Sequence, residues 1–300
     1  MKLDISTYFD NTTLVVLDVE SIAKADYVST FLGNKGGKPA FSFLLNGKEH
    51  NSTVIFGLLS KIVNANYYLG DVDFISSFDT KQGFLPYINR SNFETAFQQK
   101  HEMFNQLTSL RHAFKHMGMQ VLEQDGMESS SMIYKAVQDN YDSYEKIIIY
   151  TKDKQLYPLV DDKVSIVIPS NKYDLTSENF ENWLEVPPTL YRLKLALLGD
   201  STITSVDSKN NVVVLKGVKG VGKAKFNRIV KNYDFSKKVS KNIIESTLLN
   251  ETQKKEALSI YQWLLPRETT IDTYPKNMNK EVLKQFLEFY QCTSLLDKVV

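Results

Sequence analysis

Short apolar runs that end on an acid mark the first half of the chain. Thr13-Leu14-Val15-Val16-Leu17 runs into Asp18, and Asp73-Phe74-Ile75-Ser76-Ser77-Phe78 runs into Asp79. Lys146-Ile147-Ile148-Ile149-Tyr150 is followed shortly by Asp153, and Val164-Ser165-Ile166-Val167-Ile168 stops at Pro169. Continuous apolar stretches this short predict strands buried on both faces, as in a parallel sheet. Between them the period changes. Phe93, Phe97, Phe104, Leu107, Leu110, Phe114 and Met117 recur at helical spacing and predict a helix over about 93–117, with shorter helices over 132–137 and 190–198. Alternating strands and helices predict an α/β domain with a largely parallel sheet flanked by helices.

Past Gly199 the pattern turns mainly helical, with segments expected over 224–231, 241–248, 251–263 and 280–290. Thr252-Gln253 after Asn250 reads as a helix start and Pro266 as a stop. Only Val212-Val213-Val214-Leu215 is strand-like there. The change places a boundary near residue 200, giving units 1–199 and 200–300.

Composition narrows the class. Of 300 residues 42% are apolar and 24% charged, which excludes a disordered, collagen-like or coiled-coil chain. Lys plus Arg number 36 against 35 Asp plus Glu, so a uniformly basic binder is excluded as well. The single cysteine, Cys292, has no partner for an internal disulfide. No apolar run approaches the roughly 20 residues that cross a bilayer, and Met1 to Asp10 lacks the apolar core of a signal peptide. The expectation is a soluble, cytoplasmic protein with no membrane partner.

The near-zero total hides a basic segment. Lys216, Lys219, Lys223, Lys225, Arg228, Lys231, Lys237, Lys238 and Lys241 face a single acid, Asp234, a window of net charge +8. A solvated lysine face is the bland explanation, and three glycines argue against it. Gly217-Val218-Lys219-Gly220-Val221-Gly222-Lys223 precedes a helical pattern. Glycine lets backbone N–H groups approach a phosphate with no Cβ in the way, and flanking lysines neutralise neighbouring phosphates. A nucleotide P-loop would need a hydroxyl residue after Lys223, where Ala224 stands. The better match is the hairpin of a helix-hairpin-helix DNA-binding element, with Lys216, Gly217, Lys219, Gly220, Gly222, Lys223, Lys225 and Arg228 as the contact set.

Ligands of an open parallel sheet bind beyond the carboxyl ends of its strands. Asp18, Asp79 and Asp153 stand there, Glu128 opens a helix and Asp200 follows one. Any one of them reads as a helix cap or a solvated acid. Gathered together they do not all stay ionised without a cation among them, and carboxylates suit Mg²⁺.

These residues resemble the flap endonuclease family, the structure-specific 5′-3′ exonucleases, particularly the compact bacteriophage enzymes. The resemblance spans roughly residues 13–270. It implies a PIN-like domain with a helical arch near 80–125, then a helix-three-turn-helix DNA-binding region. Leu14 to Asp18 and Phe78-Asp79 are similar to its first two metal-ligand strands. Tyr87-Ile88-Asn89-Arg90 sits where the family has a tyrosine, a lysine and a trailing arginine facing the scissile phosphate. Glu128-Ser129-Ser130-Ser131 stands in the slot of a Glu-Ala-Asp-Asp run. Thr151 to Leu159 matches the segment that carries two aspartates two residues apart, Gly199-Asp200 the Gly-Asp pair before the hairpin, and Gly217 to Lys225 the hairpin itself. Metal ligands Asp18, Asp79, Glu128, Asp153 and Asp200 are implied, with Arg90 as the one remaining catalytic residue.

The departures fall at one constellation. Ser130, Ser131, Gln155 and Ile203 stand where the family has acids, Ile88 replaces the lysine, and about ten extra residues precede the hairpin. Asp207 in that insertion is a substitute ligand by composition alone. Serine and glutamine accept hydrogen bonds but contribute no charge, so the set is expected to hold one Mg²⁺ or Mn²⁺, or no metal. With the fold signals intact, the resemblance then implies a DNA-binding protein with a degenerate 5′ nuclease centre, acting in replication or repair. Its partners would be branched, nicked or single-strand/double-strand junction DNA and a protein of the replication machinery, in the host cytoplasm for a phage-encoded chain. Two alternatives stay open: a working Mg²⁺-dependent 5′ nuclease, and a scaffold within a larger assembly. His101, Arg111, His112, Lys115 and His116 are candidates to line an arch, but an amphipathic helix on the core explains them better, and zinc-ligand spacing is missing.

Overall fold

In a computed structural model, the structure describes residues 13–27, 41–70, 72–79, 93–169, 174–206 and 212–299. In chain order the elements are β1 (Thr13–Asp18), α1 (Val19–Tyr27), β2 (Ser42–Leu45), β3 (Lys48–Asn51), α2 (Thr53–Leu69), β4 (Asp73–Ser77), α3 (Phe93–His116) and β5 (Gln120–Leu122). There follow α4 (Ser129–Asn140), β6 (Lys146–Tyr150), a 3₁₀ turn (Lys154–Leu159), β7 (Val164–Val167), α5 (Ser177–Leu184) and α6 (Pro188–Leu198). The remainder is β8 (Gly199–Val206), β9 (Val212–Lys216), α7 (Lys223–Lys231), α8 (Val239–Glu245), α9 (Glu251–Trp263), β10 (Lys276–Asn277), α10 (Lys280–Phe289) and a final 3₁₀ turn (Thr293–Lys298).

The sheet is ordered β10-β4-β1-β6-β7, with β5 also on β4. β1, β4, β5, β6 and β7 are mutually parallel, and only the two-residue β10 runs antiparallel. Every residue of β1 is buried. Leu14 and Val16 face one hydrophobic cluster with α4, α6 and Ala257 and Leu264 of the C-terminal segment. Val15 and Leu17 face the other, with α1, α2, α3 and α10. A strand with a core on each side needs apolar residues at both parities, which is why its sequence is a run rather than an alternation. The chain leaves β1 toward β4 on one side and returns to β6 on the other. The carboxyl end of β1 is therefore the switch point, the place where an open α/β sheet leaves a crevice.

The expected strands and the expected α/β class are present. α9 starts at the capping box of Asn250 and Gln253 and ends three residues before Pro266. α4 is longer than expected at both ends, and α8 lies two to three residues earlier. Sequence reading assigned no element to 53–69, where α2 buries Val54, Ile55, Leu58, Leu59, Ile62 and Val63. That stripe is helical in spacing, but four of its six residues are β-branched, which blurs the signal. Around the extra residues, Gly199–Val206 and Val212–Lys216 pair as an antiparallel ribbon, β8 with β9, that carries an irregularity between Asp200 and Thr204.

Two glycines hold the ribbon against α6. Gly199 has φ +73°, and a Cβ there would lie 2.3 Å from the Gly217 nitrogen. A Cβ on Gly217 would lie 2.2 Å from the Leu198 carbonyl carbon. Gly199→Ala is expected to destabilise by about 3 kcal/mol, combining left-handed strain with backbone overlap; urea denaturation checks this, and a loss below about 1 kcal/mol would show that the two strands separate easily.

Candidate metal centre and nucleic-acid interface

β1 delivers Asp18 to the switch point with its side chain only 4% exposed. Thr151, just past β6 and fully buried, donates its Oγ1 hydroxyl to Asp18 Oδ2 at 2.6 Å and accepts from the Asp153 N–H at 2.8 Å. Ser129 Oγ reaches Asp18 Oδ1 at 3.3 Å, and its backbone N–H donates to Asp79 Oδ1 at 2.8 Å. Glu128 is the N-cap residue of α4, and Asp153 caps the 3₁₀ turn by accepting from the Gln155 N–H. Burial pushes Asp18 up to about 6, with the Asp79 charge adding to it against the Thr151 hydrogen bond. Burial also pushes Asp153 up to about 7, helped by the charges of Asp18, Glu128 and Asp79. Four of the five predicted acids thus lie within electrostatic reach of one another.

Asp200 stands apart. Lys154 Nζ donates to its Oδ2 at 2.6 Å, and the Thr202 N–H and hydroxyl both donate to Oδ1. Partial burial works the other way, but these donors hold Asp200 below the usual carboxylate value. Of the positions expected to have lost acids, Ser131 accepts from the Arg267 N–H at 3.0 Å, and Ile203 packs into the core at 6% exposure. Arg267 also places Nη2 3.6 Å from Glu128 Oε1. Among the described residues no three of His, Cys, Asp and Glu converge closely enough to cage a cation.

Sequence reading missed three residues here. Thr151 and Lys154 lie beside Asp153 in sequence. Glu20, two residues past Asp18, is 3% exposed, and its Oε2 has no hydrogen-bond partner. Burial, then the Asp79 charge, drives it well above the usual carboxylate range, although the Asp79 N–H donates to it. The donors are all hard oxygens of the kind Mg²⁺ takes, and a buried oxygen without a partner is what a cation satisfies. Asp18, Asp79, Glu128 and Asp153 thus have the donor chemistry of a divalent ion, which would supply Lewis-acid polarisation of a phosphate oxygen, but no three of them converge closely enough to hold it. Asp200 fits a cation no better, because Lys154 already sits on it.

The basic hairpin alternates. Val218 and Val221 are buried at 3% and 7%, while Lys219, Gly220 and Gly222 face outward. Gly220 has φ +78°, and Gly222 is the N-cap of α7 with no side chain to satisfy the first-turn N–H groups. Gln253 clamps the turn: its Nε2 donates to the Lys219 carbonyl at 2.9 Å and its Oε1 accepts from Lys225 Nζ at 2.8 Å. Lys223 pairs with Glu185 at 2.7 Å, and Lys237 with Glu245 and Asp234. Lys216, Lys219, Arg228, Lys231 and Lys238 are exposed, with no acid among the described residues in ion-pair contact.

No protein-family model matches the chain. A 5′-3′ exonuclease of Aquifex aeolicus is 27% identical over 201 residues, 65% of this chain and 66% of that protein. A 5′-3′ exonuclease of Mycoplasma pneumoniae is 24% identical across 95% of this chain and 97% of its own length. A single-residue variant of the bacteriophage T5 flap endonuclease, solved as a pseudo-enzyme–product complex with DNA and metal ions, shares the fold at a TM-score of 0.57 and 13% identity, over 96% of each chain. In sequence the chain is thus similar to 5′-3′ exonucleases, and in fold to flap endonucleases.

Of the residues that the resemblance singled out, Tyr87, Ile88, Arg90 and Asp207 lie outside the described residues. Of the arch candidates, Arg111 and Lys115 both pair with Glu123, at 3.0 and 2.6 Å. His112 and His116 are exposed on α3, whose Leu107, Leu110 and Phe114 enter the core; the side chain of His101 is outside the described set. No helix among the described residues is long and apolar enough to cross a membrane.

The raised acids give a pH signature. Asp18 and Asp153 bind protons more tightly folded than unfolded, so their stabilising effect is complete below pH ~4 and is lost as pH rises through 6 and 7. Acids held low, such as Asp200, Glu123 and Asp139, are ionised in both states above pH 5 and leave that window clear. Metal-free protein is expected to be less stable at pH 8 than at pH 5, by about 1.4 kcal/mol for Asp18 alone. The Asp18→Asn/Asp153→Asn double variant should shrink the difference; an unchanged slope in thermal melts would contradict the buried-charge account.

Proposed function

We propose that this chain is a DNA-binding member of the flap endonuclease family whose centre no longer supports two-metal hydrolysis. Hydrolysis of that kind uses two dications about 3.5–4 Å apart. At an effective dielectric constant of about 20, unit charges 4 Å apart interact by about 4 kcal/mol, so two dications repel by about 16 kcal/mol. Each carboxylate lost forfeits part of what offsets that repulsion. Ser130, Ser131, Gln155 and Ile203 contribute no charge, and Asp200 spends its own on Lys154.

The observation that carries this reading is the Lys154–Asp200 pair at 2.6 Å. A lysine ammonium occupies the side of the crevice where a second cation would need an anionic ligand. Asp18, Asp79, Glu128 and Asp153 remain for at most one Mg²⁺ or Mn²⁺. The chain would hold a branched, nicked or junction DNA through Lys216, Lys219, Arg228 and the N–H groups of Gly220 to Ala224, gripping phosphates without reading bases. Residues 1–199 would supply the crevice and 200–300 most of the DNA grip, and the bound junction would recruit a replication or repair protein. A single-residue variant of the T5 flap endonuclease, solved as a pseudo-enzyme–product complex with DNA and metal ions, supports the idea that this fold keeps both ligands when its centre is altered.

A second reading has its own support. Asp18 and Asp153 stay buried and raised, as carboxylates awaiting a cation are, and the curated relatives are named 5′-3′ exonucleases. In that case the chain is a Mg²⁺-dependent 5′ nuclease.

Purified protein on a 5′-flap duplex separates these. The proposal expects no cleavage above background with Mg²⁺ or Mn²⁺; cleavage abolished by Asp153→Ala would establish the nuclease instead. Flap binding should weaken steeply with salt, with log Kd linear in log salt, and Lys219→Ala/Arg228→Ala should reduce the slope by about 2. Salt-independent or absent binding would point to a scaffold.

A further inference from the structure

Two of the crevice acids meet a basic side chain, and the two meetings differ. Lys154 Nζ is hydrogen-bonded to Asp200 at 2.6 Å, with its side chain 30% exposed. Arg267 lies 3.6 Å from Glu128, beyond hydrogen-bond reach, with its side chain 59% exposed. Among the described residues its guanidinium makes this one ion pair, and its hydrogen bond runs from the backbone. That backbone is held in place. The Arg267 N–H donates to Ser131 Oγ at 3.0 Å, and Leu264 before it is buried. After it Thr269 donates to Gln124, Gln120 Nε2 to the Asp272 carbonyl at 2.8 Å, and Thr273 Oγ1 to Asp139 Oδ2 at 2.7 Å. Residues 264–273 are thus strapped onto β5 and α4. An exposed ion pair contributes little to stability, so these ties position an arginine whose charge the fold hardly uses.

We propose that Arg267 is a phosphate-binding residue at the rim of the crevice: its guanidinium takes a DNA backbone phosphate as the strand passes from the basic hairpin toward Glu128. This rests on the DNA-binding reading above and is indifferent to whether the strand is cut. A guanidinium presents its donors as a planar fork that matches two phosphate oxygens. Glu128 keeps the side chain at the rim without taking any of those donors, so a phosphate replaces a loose ion pair with two hydrogen bonds. The placement makes a second grip. Gln253, in the first turn of α9, clamps the hairpin through the Lys219 carbonyl, and Arg267 lies four residues past the end of the same helix. The 13 residues of α9 span about 20 Å. Hairpin and arginine therefore meet different phosphates, and two separated grips fix the direction of a duplex that one would leave free to swing. Positive charge reaches the rim from the chain itself, with no cation bound.

The test is 5′-flap binding by the full-length protein in EDTA, where no strand is cut, read by fluorescence anisotropy across a salt series. Arg267→Gln is expected to weaken binding about tenfold and to lower the slope of log Kd against log salt by about 1. Its Tm should stay at the wild-type value, because the backbone bond to Ser131 remains. Arg267→Lys should keep the slope and recover only part of the affinity, since an ammonium makes no bidentate contact. Replacing the flap's phosphates one at a time by uncharged methylphosphonates locates the contact. One position should weaken wild type and leave Arg267→Gln unaffected, while positions under the hairpin weaken both. Lys298→Gln, which removes a cation from the final 3₁₀ turn, should change neither affinity nor slope. An unchanged slope in Arg267→Gln, an identical methylphosphonate scan in the two proteins, or an equal loss in Lys298→Gln would each overturn this inference and leave the DNA-binding reading standing. Absence of flap binding by wild type would overturn both.

Discussion

Asp18 sits where a parallel sheet changes direction, buried on every side, and shares its crevice with Asp153, whose carboxyl is raised by burial and by the charges of Asp18, Glu128 and Asp79. A carboxylate in that position is tolerated only with hydrogen-bond donors, a proton or a cation. The donors come from Thr151 and Ser129, and each also braces a neighbour: Thr151 holds the Asp153 backbone, Ser129 the Asp79 carboxylate. Thus the ends of β1, β4 and β6 and the start of α4 are tied through one acid. The rest of the crevice is a settlement of its charge.

That settlement differs on the two sides. Toward α1, Glu20 adds a buried carboxyl whose Oε2 has no hydrogen-bond partner. Toward the basic hairpin, Lys154 removes one by pairing with Asp200. The contact of Gly199 with Gly217 then makes the crevice and the interface mechanically continuous, because Asp200 pairs with Leu215 one residue from the lysine that opens the hairpin. A phosphate gripped at Gly220 to Ala224, as proposed, would be anchored to the same ribbon that carries the neutralised acid. Gln253 fixes the turn from the other side, which stiffens the hairpin without adding charge to it.

The alternation of buried runs and helical spacings made the sheet and most helices legible, since strands with a core on each face announce themselves as apolar runs. The acids at their ends were legible for the same reason: a sudden charge after such a run has few places to go. α2 was not, because β-branched residues carry its helical stripe. Glu20 was not, because its single signal is an acid two residues after Asp18, and its burial follows from tertiary packing of α1, which meets α2 and α3 from distant sequence. Lys154 and Thr151 lay in plain view beside Asp153, but which acid each would meet is a matter of register between β6, β1 and the β8 ribbon. Within the basic window, charge counting did not separate exposed Lys219 from Lys225, which Gln253 ties down.

The central claim is a limit on positive charge at the switch point, so it is tested most directly by counting cations. Equilibrium dialysis of Mn²⁺ at millimolar concentration against the protein bound to a 5′-flap duplex, corrected for the free duplex, gives that count. The account predicts no more than one Mn²⁺ per chain at the crevice; two, both lost on Asp18→Asn, would contradict it.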